Sequence, residues 1–246
     1  MAVSVRVEDY AKNDFPYFSS SLEMGYFSRL GDEEIELSKR NLRIYVSQTA
    51  QYGRTIDLDK GHEQFVSHDC SYSKWIPLLK WIQLVRDKNK SSGEPYDLKS
   101  CVNGSDFVCS RGLLSRIASS PYERTQKLLE ERSMSERERC LSYWGSSFET
   151  QVTGTNDGSA SDHSSQPVQT GEQHCSVIST QLDTNRLLYG CEVDCVDRDS
   201  HKYVELKCFL GGIRTIVCGY RSEQGIIQTI KTIPVDDLPR LARQCW

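Results

Sequence analysis

No apolar run in this 246-residue chain approaches the roughly 18 residues that a membrane-spanning helix needs. The N-terminal Met-Ala-Val-Ser-Val-Arg-Val-Glu-Asp-Tyr also lacks the long apolar core of a secretory signal, so an intracellular chain away from membranes is expected. Excess positive charge is missing too. Thirty Lys and Arg against 34 Asp and Glu leave a net charge of −4, which excludes a general basic coat but not a local basic groove. The five histidines are scattered, and none of the ten cysteines stands in a Cys-x-x-Cys pair or with a His at zinc spacing. His68-Asp69-Cys70 carries the residue types of a nucleophilic triad, but adjacent residues cannot form one with one another. Disulfides do not persist in a reducing compartment, and Cys191 and Cys195, which share with Val193 the face opposite Glu192 and Asp194, are read as small buried hydrophobes. There is no internal repeat.

What is present suits one folded domain. About a quarter of the residues are charged and over a third hydrophobic. Residues 1–60 read as irregular, with Phe15-Pro16-Tyr17-Phe18 as an apolar anchor and a short strand at Leu42 to Tyr45. Residues 75–87 read as an amphipathic helix, with Trp75, Leu78, Leu79, Ile82 and Val85 on one face. Further helices are expected at 106–119, ending before Pro121, and at 123–143. The Gly-, Ser- and Thr-rich segment 151–173 reads as an exposed flexible loop. A strand series then begins at Cys175 and continues at 187–195, 202–209, 213–220 and 226–232. The expected architecture is α/β: a single domain with one mixed central sheet flanked by helices.

The chemistry concentrates in residues 187–208. Strand side chains alternate faces, so Glu192 and Asp194 point one way, as do Glu205 and Lys207. If the two runs pair as a hairpin, three carboxylates and an amine gather on one face. Carboxylates at close range repel and call for cations, and hard oxygen ligands suit Mg²⁺ or Mn²⁺ and hence phosphodiester or pyrophosphate chemistry. Asp194, ten residues, then Glu205-Leu206-Lys207 is the Asp…Glu-x-Lys signature of many metal-dependent nucleases. The bland alternative is a solvated strand face of alternating charge.

More motifs stand in a recognisable order. They are Phe15-Pro16-Tyr17 with Leu22-Glu23-Met24-Gly25-Tyr26-Phe27-Ser28, Ser110-Arg111-Gly112, Ser119-Ser120-Pro121-Tyr122-Glu123 and Tyr143-Trp144-Gly145-Ser146-Ser147-Phe148-Glu149. Cys175-Ser176-Val177, Cys191-Glu192-Val193-Asp194-Cys195, Tyr203-Val204-Glu205-Leu206-Lys207 and Val217-Cys218-Gly219-Tyr220-Arg221 follow. In these stretches the chain resembles the DXO-type decapping exoribonuclease family, whose members remove aberrant 5′ ends from RNA. The resemblance implies a D…ExK nuclease core in which Glu149, Glu192, Asp194, Glu205 and the Leu206 carbonyl hold two divalent cations, Mg²⁺ or Mn²⁺. It gives Glu192, Asp194 and Lys207 catalytic roles. Ser110, Arg111, Gly112, Cys175 and Lys207 would contact substrate, Arg111 by bidentate phosphate binding. The implied activity is decapping, or pyrophosphohydrolysis, and 5′–3′ exoribonucleolysis of incompletely or aberrantly capped RNA. RNA 5′ ends and a 5′–3′ exoribonuclease are the implied partners, in the nucleus or cytoplasm.

The chain departs from the family pattern in places. The family's Gly-Tyr-Lys-Phe-Glu is Gly145-Ser146-Ser147-Phe148-Glu149 here, without the ring and the amine. The segment before Tyr143 is short. The long helix that follows Glu-x-Lys in the family has no room between Lys207 and the strand at Ile213, so a tight hairpin at Gly211-Gly212 is expected instead. The chain also stops at Trp246, where the family continues. A shortened member is the reading, with two functions open: an active nuclease, or an inactive relative that serves as a scaffold for RNA or an exonuclease.

Overall fold

The structure is a computed structural model and describes residues 16–31, 33–46, 55–65, 75–119, 135–154, 168, 171–205 and 215–243. Its strands in chain order are β1 (Leu22–Arg29), β2 (Ile35–Glu36), β3 (Arg43–Tyr45), β4 (Phe107–Ser110), β5 (Thr153–Gly154) and β6 (His174–Leu182). These are followed by β7 (Asn185–Val193), β8 (Cys195–Asp197), β9 (Tyr203–Glu205), β10 (Thr215–Arg221) and β11 (Ile227–Pro234). The helices are α1 (Ile76–Ser92), α2 (Leu98–Cys101), α3 (Arg111–Ser119), α4 (Glu136–Val152) and α5 (Leu238–Arg243). The α/β class holds, but the strands divide between two mixed sheets. One runs β2-β1-β6-β7-β4 and the other β11-β10-β9-β8-β3-β5.

Each sheet is covered by a helix. Phe27, Cys175, Val177 and Leu188 of the first sheet pack on Leu78, Trp81 and Ile82 of α1. The second sheet buries Cys195, Val204 and Val217 against Tyr143, Trp144, Phe148 and Val152 of α4. α1 is amphipathic as expected, but its buried stripe is Leu78, Trp81 and Ile82, with Val85 partly buried behind them. Trp75 and Leu79, placed on that stripe by their spacing, are 36% and 55% exposed. The helix turns Trp81 inward because Gly25 of β1 leaves room for the indole: a Cβ there would lie 2.8 Å from the ring.

Several expected boundaries shift. The N-terminal segment is not irregular throughout, since β1 is an eight-residue strand paired antiparallel to β6. The helix expected at 106–119 is a strand and then a helix, β4 and α3. β4 enters the sheet because it pairs in parallel with Leu187–Gly190 of β7. The third helix starts later, at a Ser135–Glu138 capping box, and runs to Val152. Residues 120–134 lie outside the described residues. The segment read as a loop from 151 begins later too, because Thr153 and Gly154 are buried and pair with Ile44 and Tyr45.

The described part of the strand series after residue 174 follows expectation except that the run 187–195 is divided at Asp194 between the two sheets and that one joint differs. β9 and β10 are parallel neighbours, with Val204 beside Thr215 and Glu205 beside Ile216, so they do not form the expected hairpin. β9 is described from Tyr203 to Glu205, and residues 206–214, which lead from it to β10, lie outside the described residues. Gly211 and Gly212 lie outside the described residues.

Candidate functional site

β7 ends at Val193 and β8 begins at Cys195, so Asp194 alone joins a strand of the first sheet to one of the second. Side-chain alternation carries through this crossing. Cys191, Val193 and Cys195 are at most 3% exposed, while Glu192 and Asp194 are half-buried on the other side. β8 and β9 form an antiparallel ladder that pairs Cys195 with Val204 and Val196 with Tyr203. The same register, extended by one residue, sets Asp194 opposite Glu205. Asp197 closes the turn between them, its Oδ1 accepting from the Ser200 N–H at 2.8 Å and the Ser200 hydroxyl at 2.7 Å. Leu206 and Lys207 lie outside the described residues, and of Glu205 only the backbone is within them.

Glu149 arrives from α4. The helix is moored to residues 57–60: the Trp144 indole N–H donates to Asp59 Oδ1 at 2.9 Å and the Gln151 amide to the Asp57 carbonyl at 2.9 Å. Its angle to the second sheet is set by Phe148, whose ring lies so close to Gly219 of β10 that a Cβ there would fall 2.6 Å away. The next residue, Glu149, is thereby turned toward the crossing. The Cys195 thiol registers this. Burial pushes it far above the ordinary thiol range, and the carboxylates of Asp194 and Glu149 push it further against the pull of Arg43. Burial lowers Arg43 below the ordinary guanidinium value, while Cys195 and Glu149 act the other way. Arg43 pairs through its backbone with Cys195 in the parallel β3–β8 ladder.

Glu192 sits on the first-sheet side. It pairs with Cys175 across the β6–β7 ladder, and its Oε1 accepts a hydrogen bond from the Gln173 amide. The Gln173 Oε1 in turn accepts from Arg29 Nη1 at 3.0 Å. Cys175 is 8% exposed and belongs to the core under α1. Burial raises its thiol pKa far above the usual range and Glu192 adds to this, with Arg29 and Arg111 opposing, so it stays a neutral thiol. Ser110 ends β4 opposite Gly190, and its hydroxyl accepts from the Leu113 N–H at 3.3 Å, which ties down the start of α3. Arg111, the first residue of α3, lies against Cys191, with its Nη1 3.6 Å from the sulfur. A Cβ on Gly112 would meet nothing within 4 Å, so no close approach requires glycine there.

Glu192 and Asp194 thus share one side of the crossing, Asp194 and Glu149 both act on the Cys195 thiol, and Glu205 falls opposite Asp194 by register. The donor set fits divalent cations in kind, because it consists of hard carboxylate oxygens on strands and a helix fixed by packing. Among the described residues no three His, Cys, Asp or Glu side chains close into a metal-holding group. Sequence reasoning missed Gln173, Arg29 and Arg43. Only a faint signal was there for the first two: Arg29 directly follows the motif stretch Leu22 to Ser28, and Gln173 stands two residues before Cys175.

Solved structures of similar shape include Rai1 proteins. Candida albicans Rai1, solved with pU5-Mn2+, superposes with a TM-score of 0.72 over 94% of this chain and 75% of that one, at 18% identity. The S. pombe Rai1 in complex with 3'-FADP gives 0.69 over 98% and 83%, at 22% identity. Likeness at such identity speaks for the fold. Among curated relatives, the decapping nuclease dom-3 of Caenorhabditis elegans is 26% identical over 264 residues, 86% of this chain and 65% of its own length. The human decapping and exoribonuclease protein is 26% identical over 276 residues, 89% of this chain and 68% of its own. The chain thus spans about two thirds of the length of these relatives. The profile of the RAI1-like PD-(D/E)XK nucleases matches residues 19–129, 124–208 and 206–246, and the chain belongs to that family.

Proposed function

We propose that this chain is a divalent-metal-dependent hydrolase of RNA 5′ ends, which removes incomplete or aberrant caps and degrades the exposed RNA from its 5′ side. The observation that supports the reading is that Glu192 and Asp194 share one side of the passage between sheets, Asp194 and Glu149 both act on the Cys195 thiol, and Glu205 falls opposite Asp194 by register. Glu149, Glu192, Asp194, Glu205 and the Leu206 carbonyl would hold a pair of Mg²⁺ or Mn²⁺ ions. When bound, these supply charge stabilisation at the scissile phosphate and make the attacking water easier to deprotonate.

The chain's own residues do the rest. Arg111, at the head of α3 and beside Cys191, would clamp the 5′ phosphates bidentately. Lys207 would orient the attacking water and offset charge developing on phosphorus. The names of the relatives, decapping nucleases and exoribonucleases, and the nucleotide ligands in the related structures support RNA 5′ ends as substrate. A 5′–3′ exoribonuclease is the proposed protein partner, and the nucleus or cytoplasm the proposed location. Among the described residues no helix is long and apolar enough to cross a membrane.

The test uses 5′-labelled RNA with Mn²⁺. Glu192→Ala and Asp194→Ala are each expected to slow hydrolysis at least about a thousandfold, equivalent to about 4 kcal/mol of barrier, while the circular dichroism stays that of the wild type. Undiminished hydrolysis in either folded variant would remove this site from the reaction.

A further inference from the structure

We infer that Gln173, held by Arg29, is a positioning residue that presents the Glu192 carboxylate to the metal pair; the inference rests on the metal-site reading above. Gln173 stands one residue before β6, and its carbonyl accepts from the Arg29 N–H at 2.8 Å, which prolongs the β1–β6 ladder. In the β6–β7 register His174 faces Val193 and Cys175 faces Glu192. Gln173 therefore falls at the level of Asp194, on the same sheet face as Glu192. It is the diagonal neighbour of Glu192, a separation that a long side chain bridges.

The chemistry of the relay fixes its direction. A glutamine amide has one accepting and one donating end. The Arg29 guanidinium can only donate, so it takes Oε1, at 3.0 Å. The ionised Glu192 carboxylate can only accept, so it takes Nε2. A flipped amide would lose both bonds, so the orientation is dictated by its partners. Neither Asp nor Glu at 173 could do this, since a carboxylate cannot donate to a carboxylate. An Arg in direct contact with Glu192 would orient it but also neutralise the charge a cation needs. The amide spacer orients the ligand and leaves its charge in place. Partners behind metal ligands commonly act in this way, and their removal costs about 10- to 100-fold in affinity.

Calorimetry with Mn²⁺ alone tests the inference on the full chain. Gln173→Leu is expected to weaken Mn²⁺ binding by about ten- to a hundredfold. Gln173→Asn keeps an amide but is one methylene short, so it should lose affinity in the same direction and serves as the second variant if the leucine form folds poorly. Arg29→Gln should also weaken binding, and the Arg29→Gln/Gln173→Leu double variant should be no weaker than Gln173→Leu, because Arg29 acts through the amide. The melting temperature without metal should barely move between Gln173→Asn and wild type. Wild-type affinity in both Gln173 variants would overturn the inference, and so would additive losses in the double variant, which would mark a general structural effect. If the folded wild type itself takes up no Mn²⁺ while the Gln173 variants fold normally, the metal-site reading falls first and the positioning role with it.

Discussion

The two sheets hold the site by different means. In the first sheet β6 and β7 are nine residues each and pair along their whole length, so Cys175 and Glu192 sit in a register with little freedom. In the second sheet β3, β8 and β9 have three residues each and β5 has two. Strands that short do not hold a register by their own ladders. Asp194 and Glu205 owe their places to what surrounds them: the Phe148–Gly219 contact, the turn closed by Asp197, and the joint to β7. The comparison teaches that half of this site is fixed by strand pairing and the other half by packing against α4.

Where the sheets meet, the most sensitive group is His174. It is 1% exposed, lies between the rings of Tyr26 and Tyr203 at 5.8 and 6.3 Å, and neither ring nitrogen has a hydrogen-bond partner among the described residues. Burial lowers its pKa from 6.5 to about 4, with Glu23 opposing and Lys39 assisting. In the unfolded chain the imidazole protonates first as pH falls, so the unfolded state binds more protons between pH 6.5 and about 4. The stability contribution is complete above pH 6.5 and is lost on acidification through that window, at a cost of about 3 kcal/mol. His174→Phe should flatten this part of the pH–stability curve in urea titrations. An unchanged slope would place the acid sensitivity elsewhere.

Two glycines sharpen the contrast at smaller cost. Gly25→Ala drives a methyl against Trp81 in the first sheet, and Gly219→Ala drives one against Phe148 in the second. Each is expected to destabilise by about 1–3 kcal/mol. Only Gly219→Ala should also weaken Mn²⁺ binding, because Phe148 carries Glu149 with it. Equal effects on metal affinity would erase the distinction between the halves. The smallest expected effect is at the contact between the sheets, where the Tyr203 hydroxyl of β9 and the Ser176 hydroxyl both donate to Glu23 Oε1 at 2.8 Å. Tyr203→Phe should cost about 1 kcal/mol in chemical denaturation and leave Glu23 with Ser176. A loss several times larger would mean that the sheets lean on this bond more than on their packing.

The legible parts of the chain were those with a clean local period. The alternation from Cys191 to Cys195 predicted both the buried cysteines and the outward carboxylates, and the structure keeps it across the sheet boundary. The strands from residue 174 onward were also readable. β1 was not, because Gly25 and flanking polar residues blur its period and its strand character comes from pairing with β6. β4 was hidden in the same way by its parallel partner β7. The inward turn of Trp81 depends on a glycine 56 positions away, beyond the reach of any local window. The role of Gln173 was invisible since a polar residue before a strand signals nothing until its two partners are in place. The parallel pairing of β10 with β9 was not legible because spacing alone does not set strand direction.

The passage between sheets through the single residue Asp194 also governs where such a gene can gain or lose codons. One codon more or less there would turn every side chain of β8 to the opposite face, burying carboxylate and exposing cysteine. The seven codons for 208–214 face no such arithmetic, since they have only to deliver the chain from Lys207 to Thr215. Change in length is thus cheap just after Glu-x-Lys and ruinous fourteen residues earlier, and a gain or loss at the first place leaves the carboxylates of the second in register.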